Sequence, residues 1–320
     1  MPDLPATVSL VASPSYVAGL ARSGLLRPKR RLGQNFLVDR NVLAHLVHEA
    51  RPIPPRVPAG EPLPDRLARA PQSGDVLRGA SFLEIGAGLG ALTLALVEAG
   101  ASRVVAIEKD RSLGALLTHS LAGLPQVRLE VGDALDMDLR QLAEDEPIVV
   151  GNLPYAVTTP LLLHILRPPL FWPKAVVMLQ LEVAQRLQAP PGGKDYGAFT
   201  LAVAAVATAR LAFRVSRRSF YPVPEVDSAV VVLERRTTPA GGLDPAGLLR
   251  LSRVVRAAFG QRRKTLTNAL AAGLDLDRSE VADIVSAAGI APGRRGETLS
   301  LDEFVTLERV LGPRLRAPGR

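Results

Sequence analysis

From residue 80 to about residue 180, short apolar runs rich in Val, Ile and Leu alternate with stretches whose apolar residues recur at helical spacing. Alternation of that kind predicts βαβ units and a parallel sheet. The runs place strands near Ala80–Ile85, Arg103–Ile107, Val127–Val131, Pro147–Gly151 and Ala175–Leu179. Two more fall near Leu211–Val215 and Ala229–Arg235, joined by a segment too short for a crossover helix, so that pair is expected to be antiparallel. The result is a seven-stranded, mostly parallel sheet with helices on both faces. Beyond Gly241 the β pattern stops, and helices are expected near Pro245–Ala258, Gln261–Ala271, Asp277–Ala288 and Ser300–Leu311.

The stretch from Arg51 to Gly79 breaks this pattern, with six prolines between Pro52 and Pro64, and predicts an insert without regular elements longer than a turn or two. The expected organisation is therefore an N-terminal extension (1–26), an α/β domain (27–238, carrying the 51–79 insert) and a small all-helical domain (239–320). No apolar run reaches membrane-spanning length, because Thr200–Phe213 is interrupted by Arg210. The chain has no cysteine, and its four histidines show no ligand spacing, so neither a disulfide framework nor a metal is expected. A cytoplasmic monomer is expected.

Charge adds a direction. Residues 1–50 hold 6 basic against 3 acidic side chains, residues 51–208 hold 14 against 16, and residues 209–320 hold 19 against 12. Positive charge at both ends suits a polyanionic partner.

Four strand tips carry the candidate chemistry. Gly86-Ala87-Gly88-Leu89-Gly90 follows the first strand, where glycines let a ligand approach the backbone beside a helix N-terminus. The spacing is G-x-G-x-G, not the G-x-G-x-x-G of dinucleotide folds. Glu108, 22 positions after Gly86, ends the second strand, where a carboxylate can accept hydrogen bonds from both hydroxyls of a ribose. Asp133 follows the third strand, placed to reach a cofactor's adenine amine. Asn152-Leu153-Pro154-Tyr155 follows the fourth. An amide oxygen, a backbone carbonyl stiffened by proline and an aromatic face are the parts needed to hold and stack an extruded base bearing an exocyclic amine. Open α/β sheets bind ligands in the crevice outside such strand ends.

These residues, together with Arg31-Leu32-Gly33-Gln34-Asn35-Phe36-Leu37, Phe220-Tyr221-Pro222-Val223-Pro224-Glu225-Val226-Asp227-Ser228 and Phe259 to Leu270, resemble the KsgA-type ribosomal RNA adenine N6,N6-dimethyltransferases from Arg30 to about Phe304. Leucine at Leu181, where the family usually carries lysine before Glu-Val, is a departure. The resemblance implies a Rossmann-like class I methyltransferase sheet with a C-terminal helical domain. It implies S-adenosyl-L-methionine as methyl donor, contacted by Asn35, Leu37, Gly86, Gly88, Glu108, Asp133 and Asn152, with no metal required because the sulfonium is already activated. Asn152, Leu153, Pro154 and Tyr155 would hold the target amine, with Phe220 as the other face of an aromatic clamp. Arg30, Arg31, Arg262, Arg263 and Lys264 would grip phosphates. The implied reaction dimethylates two adjacent adenosines in the 3′-terminal hairpin of 16S ribosomal RNA in the small ribosomal subunit, with a part in subunit biogenesis. Alternatives are a macrolide-resistance type enzyme acting on 23S ribosomal RNA, a DNA adenine methyltransferase, or a non-catalytic ribosome-assembly or transcription factor on the same fold.

Overall fold

The computed structural model describes residues 7–52, 76–143, 145–261 and 263–315. Seven strands form the main sheet: β1 (Ser81–Ile85), β2 (Arg103–Glu108), β3 (Val127–Val131), β4 (Ile148–Asn152), β5 (Lys174–Gln180), β6 (Ala207–Val215) and β7 (Ser228–Arg235). Their spatial order is β3-β2-β1-β4-β5-β7-β6. The pairs β1–β2, β1–β4, β2–β3 and β4–β5 are parallel, so the chain reverses direction of progress at β1 and β4 and opens a crevice at their C-terminal ends. Each expected strand is present within a few residues of its predicted bounds. The reason is burial: β4 and β5 are covered on both faces, so their sequences run apolar without alternation.

Contacts divide the chain into two compact units. The first comprises residues 1–164, 171–181 and 211–233; the second comprises 165–170, 182–210 and 234–320, so residues 182–210 group with the helical tail and not with most of the sheet. In the first unit, Phe82, Leu96, Val104, Val150, Val176 and Val230 lie in one continuous apolar cluster. In the second, Phe259 stacks on Phe304 and meets the edge of Tyr196, whose hydroxyl donates to the Leu299 carbonyl at 2.7 Å.

The N-terminal helices add to the sequence reading, and one helix boundary departs from it. Residues ahead of the sheet include helices Val8–Val11 and Pro14–Arg22; Ser13 before Pro14 supplies the start signal, and Val17 is fully buried against Leu26, Phe36 and Leu113. The helix expected from Gln261 instead begins at Leu266. The preceding helix, Pro245–Gly260, ends at Gln261, whose carbonyl accepts from the Lys264 N–H, and Thr265 then takes the extended N-cap conformation. Arg263 and Lys264 are thus exposed on a turn between helices, while Arg262 lies outside the described residues. Most of the Pro-rich insert, residues 53–75, also lies outside them. Its flanks do not: Leu77 is fully buried, and the Arg51 carbonyl accepts from Lys174 Nζ at 2.9 Å.

One close approach fixes the end of β4. A Cβ at Gly151 would stand 2.5 Å from the Ile85 carbonyl oxygen and 3.2 Å from Leu153 Cδ2, so only glycine lets β4 lie this near the tip of β1. Gly151→Ala is expected to destabilise the protein by about 1–3 kcal/mol, read as a lower urea midpoint at unchanged m-value; an unchanged midpoint would mean that β4 can shift freely.

Candidate active site

The turn after β1 brings the backbone to the ligand side of the crevice. Gly86, Gly88 and Gly90 have φ of +82°, +61° and +83°, a region that side-chain-bearing residues rarely enter. The Gly86 and Ala87 N–H groups both donate to the Ile107 carbonyl, at 2.9 and 3.0 Å, which fastens the turn to β2. Gly90 caps helix Ala91–Glu98, and a Cβ there would lie 2.9 Å from Leu117 Cδ2. Gly88 lies under the Phe36 ring, with Cδ1 3.5 Å from the position its Cβ would take.

Glu108 stands at the tip of β2 and is 6% exposed. Burial pushes its carboxyl above the ordinary value, and the N–H groups of Asp110 and Gly88 partly oppose that rise. One oxygen accepts from Gly88 N–H at 2.8 Å and the other from Asp110 N–H at 2.7 Å. A carboxylate has about four acceptor sites, so capacity for hydroxyl donors remains. The Gly132 N–H donates to the Glu108 carbonyl, drawing the β3 tip alongside. There Asp133 is paired with Lys109 and accepts from Leu135 N–H at 3.0 Å. Burial raises its carboxyl, but the Lys109 ammonium and that N–H outweigh burial and hold it below the usual carboxylate range.

At the tip of β4, Asn152 Nδ2 donates to the Asn35 carbonyl at 3.0 Å, and Asn35 Nδ2 donates to the Gly33 carbonyl at 3.2 Å. That use of the amide nitrogen leaves the Asn152 oxygen as an acceptor. The Leu153 side chain is buried, and its N–H donates to Met178 O on β5 at 2.9 Å. The Pro154 carbonyl accepts from Val157 N–H and Thr158 Oγ1, closing a tight turn. Tyr155 shares a 2.6 Å hydrogen bond with Ser228 Oγ, and burial raises its phenol further above the ordinary value, so it stays neutral.

Asn35, Leu37, Gly86, Gly88, Glu108, Asp133, Asn152, Leu153, Pro154 and Tyr155 all border one cleft that opens to solvent, and Arg31 borders it too. Phe220 does not. Its ring is 2% exposed inside the apolar core, because Phe220–Tyr221 pairs antiparallel with Phe36–Leu37, setting Phe220 opposite Leu37. Nothing is described of the Arg30 side chain. Sequence reasoning missed Gln34, Lys109 and Glu84, which also border the cleft. Glu84 carried a signal: it is an acidic residue inside an otherwise apolar strand.

The glycine turn, the buried carboxylate and the apolar wall of Ile85, Leu89, Ile107 and Ala134 fit a nucleoside bearing vicinal hydroxyls. Among the described residues, no group of three or more His, Cys, Asp or Glu side chains is placed to hold a metal ion. No helix among them is long and apolar enough to cross a membrane.

Glu84 is 1% exposed and is pushed up to about 7 by burial, opposed by the Thr93 hydroxyl at 2.5 Å and reinforced by the nearby Glu108 charge. A folded-state value above the unfolded one means that the native protein binds this proton more tightly, so stability falls as pH rises from about 4.5 through about 7. Glu84→Gln keeps an acceptor for Thr93 and removes the titration. The Tm difference, variant minus wild type, is expected to grow more positive between pH 5 and pH 8; a difference independent of pH would contradict the burial argument.

Comparison with known proteins agrees with this geometry. A family model described as "Ribosomal RNA adenine dimethylase" matches residues 26–311. The chain is 41% identical over 311 residues to "Ribosomal RNA small subunit methyltransferase A" of Moorella thermoacetica, covering 94% of this chain and 98% of that protein. The same-named protein of Pelotomaculum thermopropionicum is 41% identical over 310 residues, with 93% and 96% covered. Among solved structures, a dimethyladenosine transferase from Plasmodium falciparum shares the fold with a TM-score of 0.66 at 21% identity, covering 86% of this chain and 97% of that one. The 23S rRNA methyltransferase ErmE gives 0.59 at 26% identity, covering 87% and 100%. The crevice at the β1–β4 reversal, its glycine turn and its Asn-Leu-Pro-Tyr corner therefore sit in a chain that belongs to the ribosomal RNA adenine dimethylase family.

Proposed function

We propose that the protein transfers methyl groups from S-adenosyl-L-methionine to N6 of two adjacent adenosines in the 3′-terminal hairpin of small-subunit (16S) ribosomal RNA, giving N6,N6-dimethyladenosine, as a cytoplasmic monomer acting on the small ribosomal subunit. The observation that carries this reading is the Asn152 amide. Its nitrogen donates to the Asn35 carbonyl, which leaves its oxygen as the acceptor that this reading requires. Similarity supports the small-subunit RNA over the 23S alternative, since relatives named for the small subunit are 41% identical over nearly the whole chain and ErmE is 26% identical.

Glu108 would take the cofactor's ribose hydroxyls and Asp133 its adenine amine, while Gly86 and Gly88 admit the cofactor close to the backbone and Asn35 and Leu37 wall it in. When bound, S-adenosylmethionine supplies a methyl group already activated by its positively charged sulfur. The chain's own contribution is positioning. Asn152 Oδ1 and the Leu153 carbonyl accept the two amine hydrogens and so turn the nitrogen lone pair out of conjugation with the ring. Pro154 holds the turn, and Tyr155, tethered at its hydroxyl by Ser228, offers a ring face for the base. Phe220 would supply the second face on turning its ring out of the core. The domain limits 27–238 and 239–320 remain our functional division, with Arg30, Arg31, Arg262, Arg263 and Lys264 as phosphate contacts that make RNA binding sensitive to salt.

Asn152→Ala is expected to lower single-turnover methylation of small-subunit RNA on the order of 100-fold or more; wild-type turnover would remove Asn152 from catalysis. Phe220→Leu keeps the position apolar without a flat face, at the cost of some core volume. Loss of methylation in a variant that stays folded at the assay temperature supports the clamp, and unchanged methylation leaves Phe220 as packing alone.

A further inference from the structure

Asp110 lies two residues beyond Glu108, outside the strand-tip constellation, and is 5% exposed. As N-cap of helix Arg111–Ser120 it needs only the Ser112 N–H, at 3.0 Å. It receives three further hydrogen bonds: from Lys29 Nζ at 2.6 Å, Gln34 Nε2 at 2.9 Å and Ser112 Oγ at 2.5 Å. Burial opposes its charge, but Lys29, Ser112 and Gln34 outweigh burial and hold the carboxyl well below the usual range. The Lys29 N–H donates to Gln34 Oε1 at 2.8 Å, and Lys29 Nζ also reaches Ser112 Oγ at 2.9 Å. Residues 29–34 are thereby closed on themselves and fastened to the end of β2. Helix capping explains none of the bonds to Lys29 and Gln34.

The next residue after Gln34 is Asn35, whose carbonyl accepts from Asn152 Nδ2. An asparagine amide has a donor end and an acceptor end of nearly the same shape. Without a carbonyl to hold the nitrogen, the amide could turn and present two N–H donors to an amine that itself donates. We propose that Asp110, Lys29 and Gln34 form a latch that positions the catalytic amide of Asn152, acting through the Asn35 carbonyl. The latch starts from the residue whose own N–H binds the Glu108 carboxylate, so the cofactor side and the acceptor side of the cleft are registered on the same short stretch. These three are positioning residues; none is assigned a contact with the adenine.

This inference rests on the assignment of Asn152 above, and a double-mutant cycle separates the two. Single-turnover methylation of unmethylated small subunits is measured for Gln34→Leu, Asn152→Ala and the double variant, with S-adenosylhomocysteine affinity measured on each. Gln34→Leu is expected to slow methylation on the order of 10- to 100-fold while changing S-adenosylhomocysteine affinity less than about threefold. In the Asn152→Ala background the same change is expected to cost less than about twofold, because the group it positions is gone. Lys29→Met is expected to slow the reaction likewise, and Lys29→Arg to restore most of the rate, which a general loss of folding does not allow. Equal losses in both backgrounds, or a loss confined to S-adenosylhomocysteine affinity, overturn the latch and leave Asn152 standing. Asn152→Ala at the wild-type rate overturns the Asn152 assignment and the latch with it.

Discussion

A single buried carboxylate, Glu108, holds the site in register. Its two oxygens accept from Gly88 N–H in the turn after β1 and from Asp110 N–H beyond β2. Burying a charge is costly unless donors surround it, and here the donors are the backbone of the turns that the ligand must pass. The glycine turn cannot drift from the β2 tip without leaving that carboxylate unsatisfied. The position of Asp110 is fixed in the same way, and with it the segment from Lys29 to Asn35 that reaches Asn152. A residue suited to a ribose thus also sets the distance between donor and acceptor sides of the cleft.

Much of this frame was legible in the sequence, for identifiable reasons. Buried parallel strands read as apolar runs, broken only by Glu84 in the first, so Phe82–Ile85, Val104–Ile107, Val149–Val150 and Ala175–Leu179 announce themselves. Glu108 and Asn152 stand out because each is the first polar residue after such a run, whereas Asp133 follows β3, whose Arg128 and Glu130 interrupt its apolar positions. The rest depended on pairings that leave no periodic trace. Two residues, Phe36–Leu37, pair with two others, Phe220–Tyr221, far along the chain, and this pairing draws Phe220 into the core. Asp110 reads as one of several surface charges after β2, and only the fold shows that Lys29 and Gln34 meet it. The start of the helix at Leu266 was hidden because Gln261 to Lys264 continue the composition of the helix before them, although Gln261, Arg263 and Lys264 do not continue its conformation.

The chemistry follows the same division. Methyl transfer from an activated sulfonium asks the protein mainly for geometry, and every assigned polar group in the cleft is tethered by a second bond: Asn152 by Asn35, Tyr155 by Ser228, Asp133 by Lys109 and Leu135. Membership in the ribosomal RNA adenine dimethylase family places that geometry among enzymes of RNA. The net positive charge of residues 209–320, 19 basic against 12 acidic, suits the phosphate backbone such a substrate presents.

The most direct test is to incubate the protein with methyl-labelled S-adenosylmethionine and, in parallel, unmethylated small subunits, large subunits and duplex DNA, and to map the labelled base. Label is expected in the small-subunit RNA alone, as N6,N6-dimethyladenosine at two adjacent positions of the 3′-terminal hairpin. Label confined to large-subunit RNA or to DNA would contradict the central claim.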